Sequence, residues 1–128
     1  MNAIKSIKKF QQDRLLDKQE FNDYREIQNI IEEIYESIGI HSKRATEMTT
    51  NVIMMDNKTC LNTEKVDAYA DIIVFAVGAI MKLGYEPELV LKEVAKEIHS
   101  RTGTIIDGKW MKNKNVETYK ANFKVCKL

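Results

Sequence analysis

The segment Asp67 to Met81, DAYADIIVFAVGAIM, places two aspartates four residues apart ahead of ten consecutive residues without a charge. Positions i and i+4 share one face of a helix, so Asp67 and Asp71 point the same way. Val66, Tyr69, Ala70, Ile72, Ile73, Val74, Val77 and Ile80 occupy its other faces. A helix that is apolar nearly all round is expected to be buried on most sides, with its acids at one end. A carboxylate withdrawn from water needs a cationic partner or takes up a proton. Lys82 lies too far along the helix to serve Asp67, so the pair predicts a lysine, an arginine or a metal ion brought from elsewhere.

The rest of the chain is also written for helices. One proline and five glycines in 128 residues leave few breaks. A weak helical pattern covers about residues 2–13. Asp17 and Glu20 have the spacing of a capping box, and Ile27, Ile30, Ile31, Ile34 and Ile38 follow at helical intervals up to Gly39, a residue suited to a left-handed C-cap. Ala45, Met48, Val52 and Met55 predict another helix, ending in the polar DNKT at 56–59. The apolar helix runs from about Asn62 to Leu83 and stops at Gly84. Glu86-Pro87 opens the last one, proline being welcome in a first turn; Leu89, Val90, Leu91, Val94 and Ile98 form its stripe. Residues 104–128 show no sustained period and read as an extended tail over the helical body. The expected fold is all-α, four or five helices in a bundle completed by oligomerisation. It forms a single domain over 1–128, with a helical core to residue 103 and a basic tail beyond.

Charge and composition narrow the function. The chain carries a net +1, but residues 104–128 hold six lysines against Asp107 and Glu117, so the preceding part is acidic. This balance gives no broad cationic footprint for nucleic acid. Ile72–Met81 is shorter than the roughly 20 apolar residues of a membrane span, and the basic start MNAIKSIKKF lacks the apolar stretch of a secretory signal. Cys60 and Cys126 stand apart and form no C-x-x-C pair, which predicts reduced thiols in a cytoplasmic protein.

A second acidic set accompanies the first. Glu32, Glu33 and Glu36 fall within about 100° of arc on a helical wheel, opposite the isoleucine stripe. Alone, such a cluster reads as a solvated face. Met by the acidic face of the Asp67–Asp71 helix, which also carries Glu64, it makes an oxygen-rich pocket suited to Mg²⁺ or Mn²⁺. Neither segment contains histidine or cysteine, which argues against zinc. A hard cation binds phosphate oxygens and acidifies a water, so hydrolysis of a nucleoside triphosphate needs no serine or cysteine nucleophile.

These segments resemble the MazG-like superfamily of all-α nucleoside triphosphate pyrophosphohydrolases. EEIYE matches the E-E-x-x-E motif of that family, and Glu64-Lys-Val-Asp67 matches its later E-x-x-D. DAYADIIVFAVGAIMKLG looks like the D-A-x-A-D helix of one branch. The closing GKWMKNKNVETYKANFKVCKL is similar to tails of MazG-like proteins from phages and some bacteria. Many relatives carry a glutamate three residues before the aspartate that heads the apolar run. Ala68 stands there in this chain, which leaves either Asp67 or Glu64 to fill that ligand position.

The resemblance implies hydrolysis between the α- and β-phosphates of a ribo- or deoxyribonucleoside triphosphate, giving the monophosphate and pyrophosphate, a reaction of nucleotide-pool control. It implies Mg²⁺ held by Glu32, Glu33, Glu36, Asp67 and Asp71, with Glu64 as a further ligand candidate. Glu33 is the candidate general base. A homodimer or homotetramer is implied as well, in keeping with an all-round apolar helix in so small a chain.

Lys109, Lys112 and Lys120, with Tyr119, are candidates to grip the triphosphate; the alternative is a solvated basic terminus. Trp110 and Phe123 read as anchors for the tail, His41 and His99 as surface residues, and Met48, Met54, Met55 and Met81 as core or interface fillers. Phe10, Phe21 and Tyr24 are candidate base contacts. The rival function is a non-catalytic helical interaction or regulatory protein that uses the basic tail.

Overall fold

In the computed structural model, which describes residues 2–40, 42–55 and 60–128, these residues are mostly helical with one small two-stranded sheet among them. The side chain of Asn2 accepts the Lys5 amide at 2.8 Å and so caps α1 (Ala3–Asp13). Leu15 then turns the chain through a left-handed conformation (φ 57°) into a short 3₁₀ turn, Leu16–Lys18. The next helix, α2 (Asp23–Ser37), does not begin at the capping box expected over 17–20. Its N-cap is Asn22, whose side-chain Oδ1 accepts the Arg25 amide at 3.0 Å. Asp17 lies within the 3₁₀ turn, which holds its backbone away from the β-region geometry an N-cap requires. Gly39 (φ 79°) ends the helix as expected, with the Ile40 amide returning to Tyr35 O at 2.9 Å.

Three further helices follow: α3 (Ser42–Met55), α4 (Asn62–Lys82) and α5 (Pro87–Ser100). The backbone of α4 turns out at Gly84 (φ 91°), where the Tyr85 amide reaches Ile80 O. Pro87 opens α5 and Glu86 caps it, its carboxylate accepting the Glu88 amide at 2.9 Å. The segment after α5 is not simply extended. β1 (Gly103–Ile106) and β2 (Lys109–Lys112) pair antiparallel, Ile106 opposite Lys109 and Ile105 opposite Trp110. Asp107 and Gly108, both at positive φ, make the two-residue turn between them. A 3₁₀ turn over Phe123–Cys126 precedes the end of the chain.

The chain forms two compact units, Glu20–Leu61 in one and Met1–Gln19 with Asn62–Leu128 in the other. The first is the α2–α3 hairpin. Tyr24 Oη and Thr50 Oγ1 lie 3.3 Å apart, Gln28 Nε2 donates to Thr46 Oγ1 at 3.2 Å, and Thr49 is fully buried. Met48 and Val52 remain exposed. Met48 is therefore no core filler within this chain. Met54, Met55, His41 and the 56–59 stretch, in their side chains or entirely, lie outside the described residues.

In the larger unit α1 packs on α5, and the junction is aromatic. Phe10, 7% exposed, meets Trp110 and His99 edge to face at centroid distances of 5.6 and 5.9 Å. Phe10 is thus a core residue whose ring is covered, which removes it as a base contact. The Arg14 guanidinium lies 4.1 Å from the Phe10 centroid and donates to His99 O and Arg101 O at 3.3 and 3.0 Å. It satisfies carbonyls at the C-terminus of α5 while placing positive charge at the negative end of that helix. His99 is half-buried rather than a surface residue, because its Nε2–H donates to Ser6 O at 2.6 Å.

Gly103 has a steric reason to be glycine: a Cβ there would lie 2.7 Å from Trp110 Cζ2. At the other end of the unit the chain terminus is stitched to the α4–α5 turn. Glu86 N donates to Cys126 O at 2.7 Å and Leu128 N to Gly84 O at 3.0 Å. No helix among the described residues is long and apolar enough to cross a membrane.

Candidate functional site

The two acidic sets belong to different units. Glu32, Glu33 and Glu36 ride on α2 in the smaller one. Glu32 is half-buried and accepts Gln28 Nε2 at 3.3 Å, a bond within one helical turn; Glu33 and Glu36 are exposed. Glu64, Asp67 and Asp71 ride on α4 in the larger unit, all three exposed. Among the described residues no three of Asp, Glu, His and Cys converge closely enough to hold a metal ion. Each helix nonetheless offers carboxylates at i, i+3 or i, i+4 spacing, and oxygen donors alone are the chemistry of Mg²⁺ and Mn²⁺.

The burial expected of α4 is not found within the chain. Ile73, Val74 and Phe75 are 57, 64 and 78% exposed, and no described residue of the helix is buried. The reason is geometric: within its unit α4 meets α5 near one end, which covers only a fraction of a 21-residue helix apolar on several faces. Met81 is exposed too and fills no core. Between the end of α4 and the tail, Ile80, Leu83, Tyr85, Val90 and Phe123 line an open apolar hollow of about 270 Å³.

A densely hydrogen-bonded polar cluster lies where α5 meets the tail, around Glu93, a residue outside the acidic motifs. Glu93 is 5% exposed. Its Oε1 accepts the Tyr119 hydroxyl at 2.5 Å and the Asn122 amide at 2.8 Å, and its Oε2 accepts Lys96 Nζ at 3.0 Å. The Tyr119 hydroxyl first, then the Asn122 amide and Lys96, hold the Glu93 carboxyl down at about 2. The same contacts push Lys96 and Tyr119 up, in each case chiefly through the hydrogen bond to Glu93. Burial raises the Cys126 thiol, with the Glu93 charge adding to it. One turn on, Glu97 accepts the Ala121 amide at 3.1 Å and Arg101 at 3.0 Å. The sequence does hold a signal for this site. Glu93 follows Leu89 and Val90 at i+4 and i+3, within the apolar stripe of α5, where a carboxylate must find donors.

The tail candidates separate accordingly. Lys109 and Lys112 bound β2, and Lys120 is exposed between Tyr119 and Ala121. The hydroxyl of Tyr119 is committed to Glu93 and holds the tail to α5. Trp110 is an anchor, as expected, wedged against Phe10 and Gly103. Phe21 is exposed. Both cysteines are free thiols, Cys60 exposed and Cys126 buried. Comparison of the chain with protein-family models, with curated proteins and with solved structures found no match.

Proposed function

We propose that the chain is a Mg²⁺-dependent nucleoside triphosphate pyrophosphohydrolase of the MazG-like kind. The observation that carries this reading is a set of closely spaced carboxylates on each of two separate helices. Glu32, Glu33 and Glu36 lie within five residues of α2, and Glu64, Asp67 and Asp71 within eight residues of α4. All are acids without a histidine or cysteine among them, the donor set of a hard cation. The resemblance of EEIYE, EKVD and DAYAD to the motifs of that superfamily points the same way.

In this reading Glu32, Glu36, Asp67 and Asp71 hold Mg²⁺, with Glu64 beside them, and Mn²⁺ can replace it. The ion, when bound, supplies a Lewis acid for phosphate oxygens and lowers the pKa of a bound water. Glu33 accepts the proton of the attacking water as general base. Lys109, Lys112 and Lys120 bring positive charge to the phosphate chain. One water is consumed, the link between the α- and β-phosphates is broken, and nucleoside monophosphate and pyrophosphate leave.

Assembly belongs to the same reading. The uncovered apolar face of α4 favours a second copy of the chain as its cover, in a dimer or a tetramer. That same face also suits a non-catalytic interaction protein, and Mg²⁺ dependence separates the two. The test is a screen of the eight common nucleoside triphosphates for pyrophosphate release, with and without Mg²⁺, alongside Asp71→Asn. Turnover by the wild type and its loss in the variant are expected. No release from any of the eight would overturn the assignment.

A further inference from the structure

We infer that Glu93 and Glu97 are positioning residues that strap the tail to α5 and thereby fix Lys120 for an anionic phosphate chain, an inference that rests on the triphosphate reading above. Residues 113–122 form no regular helix or strand. Their backbone amides must therefore find partners outside any ladder. Three successive attachments come from α5: Tyr119 N donates to Ser100 Oγ at 2.9 Å, Ala121 N to Glu97 Oε1, and Asn122 N to Glu93 Oε1. The Tyr119 hydroxyl adds a fourth, again to Glu93.

Two of these acceptors are carboxylates one turn apart, so the bonds are charge-assisted and stronger than neutral ones. Glu93 is also nearly sealed from solvent, which limits competition from water. The strap does not depend on the lysines. Lys120 itself is exposed, while the residues on both sides of it are pinned. A lysine on a free terminus must give up the freedom of the whole tail on binding, whereas one on a pinned backbone gives up little more than its own rotamers. Lys96 keeps Glu93 charge-compensated from the opposite side, through Oε2. The carboxylate thus serves the tail without leaving an unpaired charge against an incoming phosphate.

The experiment uses the full chain, with inorganic tripolyphosphate as the binding probe in the presence of Mg²⁺ and with hydrogen exchange at Ala121 and Asn122 as a report on the strap. Glu93→Ala and Tyr119→Phe should both speed exchange at these amides and weaken tripolyphosphate binding about tenfold, the factor that accompanies loss of one charge-assisted bond. Glu93→Gln keeps an acceptor oxygen but loses the charge, and should restore only part of the affinity. Lys120→Ala should weaken binding to the same degree while exchange stays slow. For the triphosphate that the wild type turns over, Glu93→Ala should raise KM and leave kcat within about twofold. Tyr119→Phe covers the case in which Glu93→Ala fails to fold. Faster tail exchange with unchanged tripolyphosphate affinity would overturn the inference, since the strap would then be structural only. A wild type that binds tripolyphosphate through Lys120 yet hydrolyses no triphosphate would overturn the catalytic assignment and leave the strap standing.

Discussion

Tyr119 donates its hydroxyl to Glu93 across 26 residues of chain, from the irregular tail onto the body of α5. The bond ties together two regions that differ in kind: a helix with its own hydrogen-bond ladder, and a segment whose amides depend on side chains. With the Asn122 amide and Lys96 it gives a nearly buried carboxylate three donors, which is why the carboxyl stays ionised well into acid.

That support makes tail docking pH-dependent in a definite direction. The Glu93 carboxyl is held at about 2 in the folded chain against an ordinary 4.5. A depressed acid contributes stability that is complete above its unfolded pKa and lost as pH falls toward its folded one. Docking should hold above pH 4.5 and fail progressively between about 4.5 and 2. Tyr119 is raised, so on the alkaline side docking persists past its ordinary value of 10.0 and is lost only as pH climbs through the raised one. NMR titration of the Ala121 and Asn122 amides checks this, and an acid midpoint near that of an ordinary glutamate would contradict it.

The hairpin offers a steric prediction. Gly103→Ala would place a methyl group 2.7 Å from the Trp110 ring. The ring cannot retreat freely, because Phe10 packs against it edge-on. Overpacking of this kind typically costs about 1–3 kcal/mol. Trp110 is the chain's single tryptophan, so its fluorescence reports the change directly. An unshifted emission and an unchanged denaturation midpoint would show that the hairpin yields more easily than its contacts imply.

Much of the helical plan was legible. Gly39 and Gly84 terminate α2 and α4 at positive φ, and Pro87 opens α5, because these residues act through local backbone geometry. The start of α2 was misread since Asp17 and Asn22 are both competent caps, and only the 3₁₀ turn over Leu16–Lys18 decides between them. The Asp107-Gly108 hairpin carried a recognisable turn signal, overlooked because its strands are four residues long and show little alternation. Glu93 was missed for a different reason. Its partners lie 26 and 29 residues away, and no local pattern reveals which donors a long-range fold will bring. The acidic motifs were legible as motifs, while whether two such sets share a site is a tertiary property that spacing along one helix does not encode.

The corrected cap can be tested simply. Asn22→Ala removes the acceptor for the Arg25 amide and should cost about 1 kcal/mol of stability by denaturant melt. Glu20→Gln should cost nothing, since Glu20 is exposed and precedes the cap.

Mg²⁺ should stabilise the folded chain if the carboxylates of α2 and α4 hold it. A ligand at 100 times its Kd adds about 2.7 kcal/mol, which for a chain of this length raises Tm by roughly 10 °C. Asp71→Asn and Glu36→Gln should each abolish that shift and reduce Mg²⁺-dependent turnover by at least about 100-fold, several kcal/mol of charge stabilisation being at stake. Their circular dichroism should stay helical. Without metal, Asp71→Asn should melt no lower than the wild type, because it removes a like charge one turn from Asp67. Lys112→Ala should weaken substrate binding and leave the Mg²⁺ shift intact. A shift that survives in Asp71→Asn would place the ion elsewhere.

The apolar face of α4 makes the strongest claim on quaternary structure. Ile73, Val74 and Phe75 are consecutive, point in different directions around the helix, and are all more than half exposed. Patches of this size on a lone chain favour association, at about 25 cal/mol per Å² of apolar surface removed from water. Sedimentation at micromolar concentration should therefore show a dimer or a larger closed assembly. Phe75→Glu should shift it to monomer, since a charge at the most exposed apolar site of the helix would be buried unpaired on association. The helical content of the Phe75→Glu monomer should persist, because Phe75 has little to do with packing inside its own chain. A wild type that sediments as a monomer would mean that α4 is covered by some other partner, and the catalytic assignment would lose the assembly it calls for.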